Sequence, residues 1–131
     1  MADQDFYYQL LGKEQYPAVP VTIYFVENAT PTYTIIDSGA DYCLFNNELA
    51  DDLKLEIETG RQISLNGIGG KIVAFLHEVQ IQLLNRKITC KALFSRDFKW
   101  QANILGRAGF FEAHEITFKE KDKIIQVKEV D

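Results

Sequence analysis

The residues of this sequence best suited to chemistry are Asp37, Ser38, Gly39 and Ala40, which directly follow an apolar segment. Peptide hydrolysis needs an activated water and a protonated carbonyl oxygen, and two carboxyl groups that share one proton can supply both. The same tetrapeptide is also typical of an ordinary turn after a strand, because Asp, Ser and Gly are common turn residues. By itself it leaves both interpretations open.

The chain before Asp37 has the pattern of a β-hairpin. Apolar and polar residues alternate in the segment Val19–Val26, VPVTIYFV, as in a half-buried strand. Residues Glu27–Pro31 are predicted to turn, and Thr32–Ile36 to form a second strand that ends at Asp37. The sequence therefore places the carboxylate where an extended segment stops.

After the tetrapeptide, one helix is predicted, from Asn46 or Asn47 to about Leu55. Asparagine caps helix N-termini, and Leu49 and Leu53 are spaced for one buried face. Further on, glycines mark a hairpin tip between two extended runs, and a third run follows a turn at residues 85–86. The tip consists of Gly67, Ile68, Gly69 and Gly70.

In the C-terminal third, the sequence pattern predicts a short strand over residues 102–105 and a short helix over 107–113. It also predicts a hairpin formed by residues 115–120 and 123–129. Residues 1–16 fit either a helix or an edge strand. Seven to nine strands with mostly short connections predict an all-β domain. We expect a small closed or partly closed antiparallel barrel with one or two short helices.

The length of 131 residues predicts one domain, here assigned to residues 17–131 with an N-terminal extension over residues 1–16. A net charge of −5 and the absence of a basic run argue against a nucleic-acid partner. No apolar stretch is long enough to cross a membrane, and the acidic N-terminus differs from a signal peptide. Cys43 and Cys90 suggest neither a disulfide framework nor a zinc site, so a cytoplasmic location is expected.

Three motifs, taken together and in order, resemble those of the retropepsin-like aspartic proteases, the retroviral proteases and their cellular single-domain relatives. They are IIDSGAD around Asp37, NGIGG at the glycine-rich tip, and NILGR around Gly106. The resemblance covers about residues 17–118. It implies an aspartic endopeptidase that acts on extended peptides as a homodimer, without metal or cofactor, because the chain has one such aspartate where the chemistry uses two.

The resemblance also assigns roles to individual residues. Asp37 would be the catalytic carboxylate, and Gly67 to Gly70 would form a flap over the substrate. An Asp41–Arg107 pair, buried and bidentate, would tie the active-site loop to the helix after Gly106. Ser38 would bond to the opposite loop across the dimer axis. The other residues that support the active site would be Gly39, Ala40, Ile104 and Leu105. Apolar substrate pockets would be lined by Ala40, Ile68 and Ile104.

Other candidate sites fit less well. His77 and His114 each precede a glutamate, but neither has the second histidine of a metalloprotease helix, and we expect both to be half-exposed. Cys43 would need a neighbouring histidine to act as a nucleophile, and we expect a packed thiol. Residues 67–71 lack the serine or threonine of a nucleotide-binding loop.

One alternative from another class stays open, a dimerising or peptide-binding module of the same fold with little hydrolysis. In the viral relatives the two chain ends form the interface sheet. Here residues 1–16 and the added strand KIIQVKE are departures from that pattern, so the interface is expected to be built differently.

Overall fold

The computed structural model describes residues 1–67, 70–99 and 102–131. The predicted tip residues Ile68 and Gly69, and Trp100 in the following loop, lie outside the described residues. Within them the chain is mostly strand. The strands are β1 (Asp3–Tyr7), β2 (Gln9–Leu11), β3 (Glu14–Tyr16), β4 (Ala18–Phe25), β5 (Asn28–Ile36), β6 (Cys43–Phe45), β7 (Arg61–Gly67), β8 (Gly70–Gln82), β9 (Lys87–Phe94), β10 (Asn103–Leu105), β11 (His114–Lys119) and β12 (Ile124–Glu129).

The predicted hairpin before Asp37 is confirmed as β4 and β5. Val19, Val21 and Ile23 are buried on one face, as the alternation predicted. The turn is shorter than expected, because pairing continues to Phe25 opposite Asn28. Residues 28–31 therefore belong to β5 instead of to a turn.

The large sheet has the order β4-β5-β10-β6-β9-β8-β7, and a further pairing of β4 with β8 joins six of these strands into a ring. The all-β prediction is confirmed, but the pairing is not purely antiparallel. β10 is parallel to β5, and β6 is parallel to β9. The sequence prediction considered short connections between neighbouring strands, whereas these pairs join strands far apart in the chain, where parallel pairing is sterically possible.

The predicted helix is confirmed as α1 (Asn47–Leu53). The side chain of Asn46 caps it by accepting a hydrogen bond from the Leu49 N–H at 2.9 Å. Leu49, Ala50 and Leu53 are buried against the sheet, and the helix ends at Lys54 in a left-handed conformation. A short 3₁₀ turn follows at Ile57–Thr59. No helix in the described ranges is long and apolar enough to span a bilayer.

A second, three-stranded sheet has the order β1-β12-β11. The predicted C-terminal hairpin is confirmed, with Ile125 and Val127 fully buried. Residues 3–7 form a strand that pairs with β12, so the strand alternative for the N-terminal segment is the one observed. β2 and β3 form a small separate hairpin.

The buried Glu129 connects this sheet to the turn between β8 and β9. Its Oε2 accepts hydrogen bonds from the Asn85 N–H at 3.0 Å and the Arg86 N–H at 2.8 Å. The Arg86 Nη2 in turn donates to the carbonyls of Ala113 and Val130. One carboxylate therefore organises the junction of three segments.

Replacing Glu129 with alanine is expected to lower the free energy of unfolding by about 3 kcal/mol, because two backbone N–H donors lose their acceptor and the Arg86 guanidinium loses its ion pair, 3.7 Å from Nε to Oε2. Urea unfolding followed by circular dichroism would measure the change. The exposed Glu14→Ala serves as the control and is expected to be nearly neutral. Equal stability of the two variants would contradict the structural role of Glu129.

Candidate functional site

Asp37 stands where β5 ends, beside the end of β10. Leu105 is paired with Ile36, and the Leu105 carbonyl accepts a hydrogen bond from the Asp37 N–H at 3.0 Å. Both of these apolar residues are buried, while Asp37 itself is partly exposed. Two parallel strands therefore hold the backbone of Asp37 and leave its carboxylate accessible.

The loop after Asp37 fixes the orientation of that carboxylate. The Gly39 N–H donates a hydrogen bond to Asp37 Oδ1 at 2.9 Å. A Cβ on Gly39 would lie 3.3 Å from the same oxygen, so a side chain there would crowd the carboxylate. The Ala40 N–H bonds the Asp37 carbonyl at 3.2 Å and closes the turn.

β10 and the residues after it support this loop from below. Ile104 pairs with Ile35 on one side and with Leu44 on the other. A Cβ on Gly106 would lie 2.3 Å from the carbonyl oxygen of Tyr42 and 2.8 Å from that of Ala40. The strand therefore approaches the loop backbone as closely as only glycine allows.

The loop is held through its backbone more than through charge. The Arg107 N–H donates to the Ala40 carbonyl at 2.8 Å, and the Ala108 N–H donates to the Asp41 carbonyl at 2.9 Å. The predicted Asp41–Arg107 pair is present as a single contact of 3.8 Å between Oδ1 and Nη1. Its side chains are 83% and 65% exposed, so the expectation of a buried, bidentate pair is wrong. An exposed pair of this kind contributes about 0–1 kcal/mol.

The segment predicted as a second helix, residues 107–113, is a distorted helical turn at Arg107–Phe111. Ala108 and Gly109 have non-helical backbone angles, with a φ of 85° at Gly109. A Cβ on Gly109 would lie 2.8 Å from Cys90 Sγ. The regular helix does not form because the chain turns tightly against β9 at this point.

Two buried thiols lie behind this turn. Cys43 Sγ and Cys90 Sγ are 3.5 Å apart, and Cys43 Sγ also accepts the Gly106 N–H at 3.4 Å. Cys90 Sγ is 3.2 Å from the Ala108 carbonyl. Their mutual hydrogen bond lowers the pKa of the Cys43 thiol and raises the pKa of Cys90, which burial raises further. The packed-thiol interpretation agrees with these contacts.

Because Cys43 and Cys90 are 0% and 1% exposed, we expect neither thiol to react with a bulky disulfide reagent in the folded protein. Addition of denaturant should release both for rapid reaction. A reagent that releases a coloured thiolate lets the rate of thiol reaction be measured by absorbance, with and without urea. Fast stoichiometric reaction of the native protein would contradict the packing described here.

The two histidines occupy different environments. His77 is half-buried, with Nε2 2.7 Å from the Ile57 carbonyl. His114 is only 5% exposed, so the expectation of a half-exposed ring is wrong. Its ring stacks on the Phe110 ring at a centroid distance of 4.5 Å, a contact that no sequence pattern indicates. Burial lowers the pKa of His114 and favours its neutral form.

The predicted flap lies on β7 and β8, which pair as far as Gly67 and Gly70. Gly70 has a φ of 107°, a conformation that favours glycine. Ile68 and Gly69, which complete the predicted tip, are outside the described residues. Sequence reasoning missed what anchors this hairpin. Ser95 Oγ donates to the Val73 carbonyl at 2.6 Å, and Asp97 Oδ2 accepts the Val73 N–H at 3.0 Å.

An open cavity of about 550 Å³ adjoins the outer side of the Asp37 loop. Its lining includes Asp41, Tyr42, Arg107 and Phe111 but not Asp37. The cavity is therefore not where the carboxylate would meet a substrate.

Comparison with known proteins agrees with this arrangement. A family profile described as aspartyl protease matches residues 19–106. Among solved structures, the EIAV protease in complex with the inhibitor HBY-793 is 27% identical, with a TM-score of 0.56 over 76% of this chain and 88% of that one. A retropepsin-like aspartic protease from Rickettsia conorii has a TM-score of 0.74 at 13% identity, over 96% of this chain and 98% of that one. Among curated proteins the sequence search finds no match.

Proposed function

Since the chain belongs to the aspartyl protease family, we propose that it is an endopeptidase that cleaves peptide bonds as a homodimer, with Asp37 of each copy forming the catalytic pair. The observation that carries this proposal is the Asp37 carboxylate itself. It is accessible, it is oriented by the Gly39 N–H, and its backbone is held at the ends of two parallel strands.

In this mechanism the two Asp37 carboxyl groups share one proton, because two adjacent carboxylates in such a dyad do not both ionise. The ionised group takes a proton from water, which attacks the peptide carbonyl. The protonated group gives its proton to the carbonyl oxygen, which completes a tetrahedral intermediate with two hydroxyl groups. The group that took the proton from water then passes it to the amide nitrogen as the C–N bond breaks, while the other carboxylate takes a proton from a hydroxyl of the intermediate, so that one proton is again shared. The Gly39 N–H bond keeps each carboxylate in position during these transfers.

The neighbouring residues would position the loops and the substrate. Ser38 is exposed beside Asp37 and would bond to the opposite loop across the two-fold axis. Leu105 and Gly106 support the loop from below, while Asp41 and Arg107 add a weak surface contact. The role of Gly106 follows from its close approach to the Tyr42 backbone.

The substrate would lie extended between the Asp37 loop and the flap formed by residues 67–70. Such a peptide is bound through backbone hydrogen bonds, with alternate side chains entering pockets. Ala40 and Ile104 are partly buried apolar side chains flanking the loop, and with Ile68 they would favour apolar residues beside the cleaved bond. The free thiols also fit a reducing compartment such as the cytoplasm.

Cleavage of a mixed peptide library, with and without a statine-type inhibitor, tests the proposed function. We expect inhibitor-sensitive cutting between apolar residues. A folded dimer that binds peptides without cutting them would instead support the peptide-binding module. Cutting that ignores the inhibitor would point to a different catalytic group.

A further inference from the structure

The three-stranded sheet leaves one edge of β11 unpaired. Within the described residues β11 pairs only with β12, while β1 forms the opposite edge of the sheet. An unpaired edge strand presents N–H and C=O groups that can bind another strand. β1 and β11 are therefore the two edges of this sheet that remain free to pair within the described residues.

The sequence of β11 is complementary to itself in antiparallel pairing. With Thr117 on a two-fold axis perpendicular to the sheet, Glu115 of one copy lies opposite Lys119 of the second copy, and the reverse pair forms by symmetry. On the other face Ile116 lies opposite Phe118 of the second copy. Opposite charges and apolar residues facing each other both stabilise strand pairs.

All of these side chains except Ile116, which packs partly buried against the core of its own chain, are free to make such contacts. Glu115, Thr117 and Lys119 are exposed, and Phe118 is 40% exposed although it is a large apolar residue. Lys128 lies across from Glu115 on β12. Within the described residues, however, neither Glu115 nor Lys119 has an ion-pair partner in its own chain.

The other edge of the sheet disfavours self-pairing. Asp5 is the central residue of β1 (Asp3–Tyr7). If the whole strand pairs antiparallel with the same strand of a second copy, Asp5 of one copy lies opposite Asp5 of the other. Directly opposed like charges destabilise a strand pair. The charges therefore distinguish the two edges, and only β11 carries a self-complementary pattern.

We propose that two copies of the chain pair edge to edge through β11, with Thr117 on the two-fold axis, to form a continuous six-stranded sheet. This inference rests on the proposed function, which needs a second Asp37. β11 follows the Arg107–Phe111 turn, whose first residues bond the Asp37 loop through Ala40 and Asp41. The dimer would thus be built on the segment that supports the catalytic loop.

Charge reversal tests the register. Glu115→Lys and Lys119→Glu each place like charges opposite one another twice, so each is expected to raise the dimer dissociation constant about 10- to 100-fold. The double variant E115K/K119E restores opposite charges and should return the constant to within about threefold of wild type. Sedimentation over a range of concentrations measures these constants. Asp5→Lys on β1 is the control and should leave the dimer no weaker.

Cross-linking gives a second readout. Thr117→Cys, treated with a short bis-maleimide, should yield a covalent dimer, whereas Asp5→Cys should not, and the native thiols are buried. Three results would overturn the proposed pairing. They are equal cross-linking of the two cysteine variants, a wild-type protein that is monomeric, and single charge reversals that leave the dimer intact. If wild type cleaves peptides but these results fail, only the interface is wrong. If the β11 dimer forms without cleavage, the proposed function fails and the interface stands.

Discussion

Replacing Asp37 with asparagine is expected to reduce peptide cleavage by at least about 1,000-fold and to leave the fold and the dimer intact. The amide has the shape of the carboxyl group, and its oxygen can still accept the Gly39 N–H bond seen at 2.9 Å. It can neither take a proton from water nor donate one as a carboxylic acid does. The loss should therefore fall on turnover and spare peptide binding.

The rate of cleavage of a peptide chosen from the library, together with sedimentation of the same sample, measures this effect. Asp52→Asn, an exposed residue in α1, is the matched control and should retain full activity. Cleavage by Asp37→Asn at the wild-type rate would remove this residue from the mechanism. Cleavage lost along with the dimer would instead indicate a structural role.

The second large effect is expected from Gly106→Ala, which should lower stability by about 3 kcal/mol. The added Cβ would lie 2.3 Å from the Tyr42 carbonyl oxygen, and backbone atoms cannot yield as a flexible side chain can. Either β10 or the loop at residues 40–42 must move. Because a displacement of about 1 Å can cost roughly 100-fold in rate, the molecules that still fold should also cleave about 100-fold more slowly.

Urea unfolding and cleavage rates normalised to the folded fraction would separate these two losses. Ala29→Val, which adds methyl groups at an exposed position of β5, is the control and should change neither quantity much. A stable and fully active Gly106→Ala would show that the close approach of β10 to the loop does not matter.

The elements that dominate the fold could be predicted from local pattern. The alternation from Val19 to Ile23 identified β4, and the Asn46 cap with Leu49 and Leu53 identified α1. Asp37 could be placed at a strand end for the same reason. These features depend on residues close together in sequence, where side-chain period and capping decide the local structure.

The features that were missed depend on contacts between distant residues. The parallel pairing of β10 with β5 joins segments separated by the intervening sheet, so local spacing carries no sign of it. The burial of His114 depends on Phe110, and the distortion at Gly109 depends on Cys90. The opposite charges of Asp41 and Arg107 correctly indicated that their side chains meet. The backbone hydrogen bonds that hold the loop are visible only in the structure.

The measurement that tests the paired carboxylates most directly is the activity of mixtures of wild type and Asp37→Asn. The two proteins are unfolded together, refolded at constant total concentration, and assayed as the variant fraction increases. If each active site needs Asp37 from both copies, activity falls as the square of the wild-type fraction, so an equal mixture retains about one quarter of the activity. A linear decline, with about one half remaining, would show that each chain works alone and would contradict the proposed mechanism.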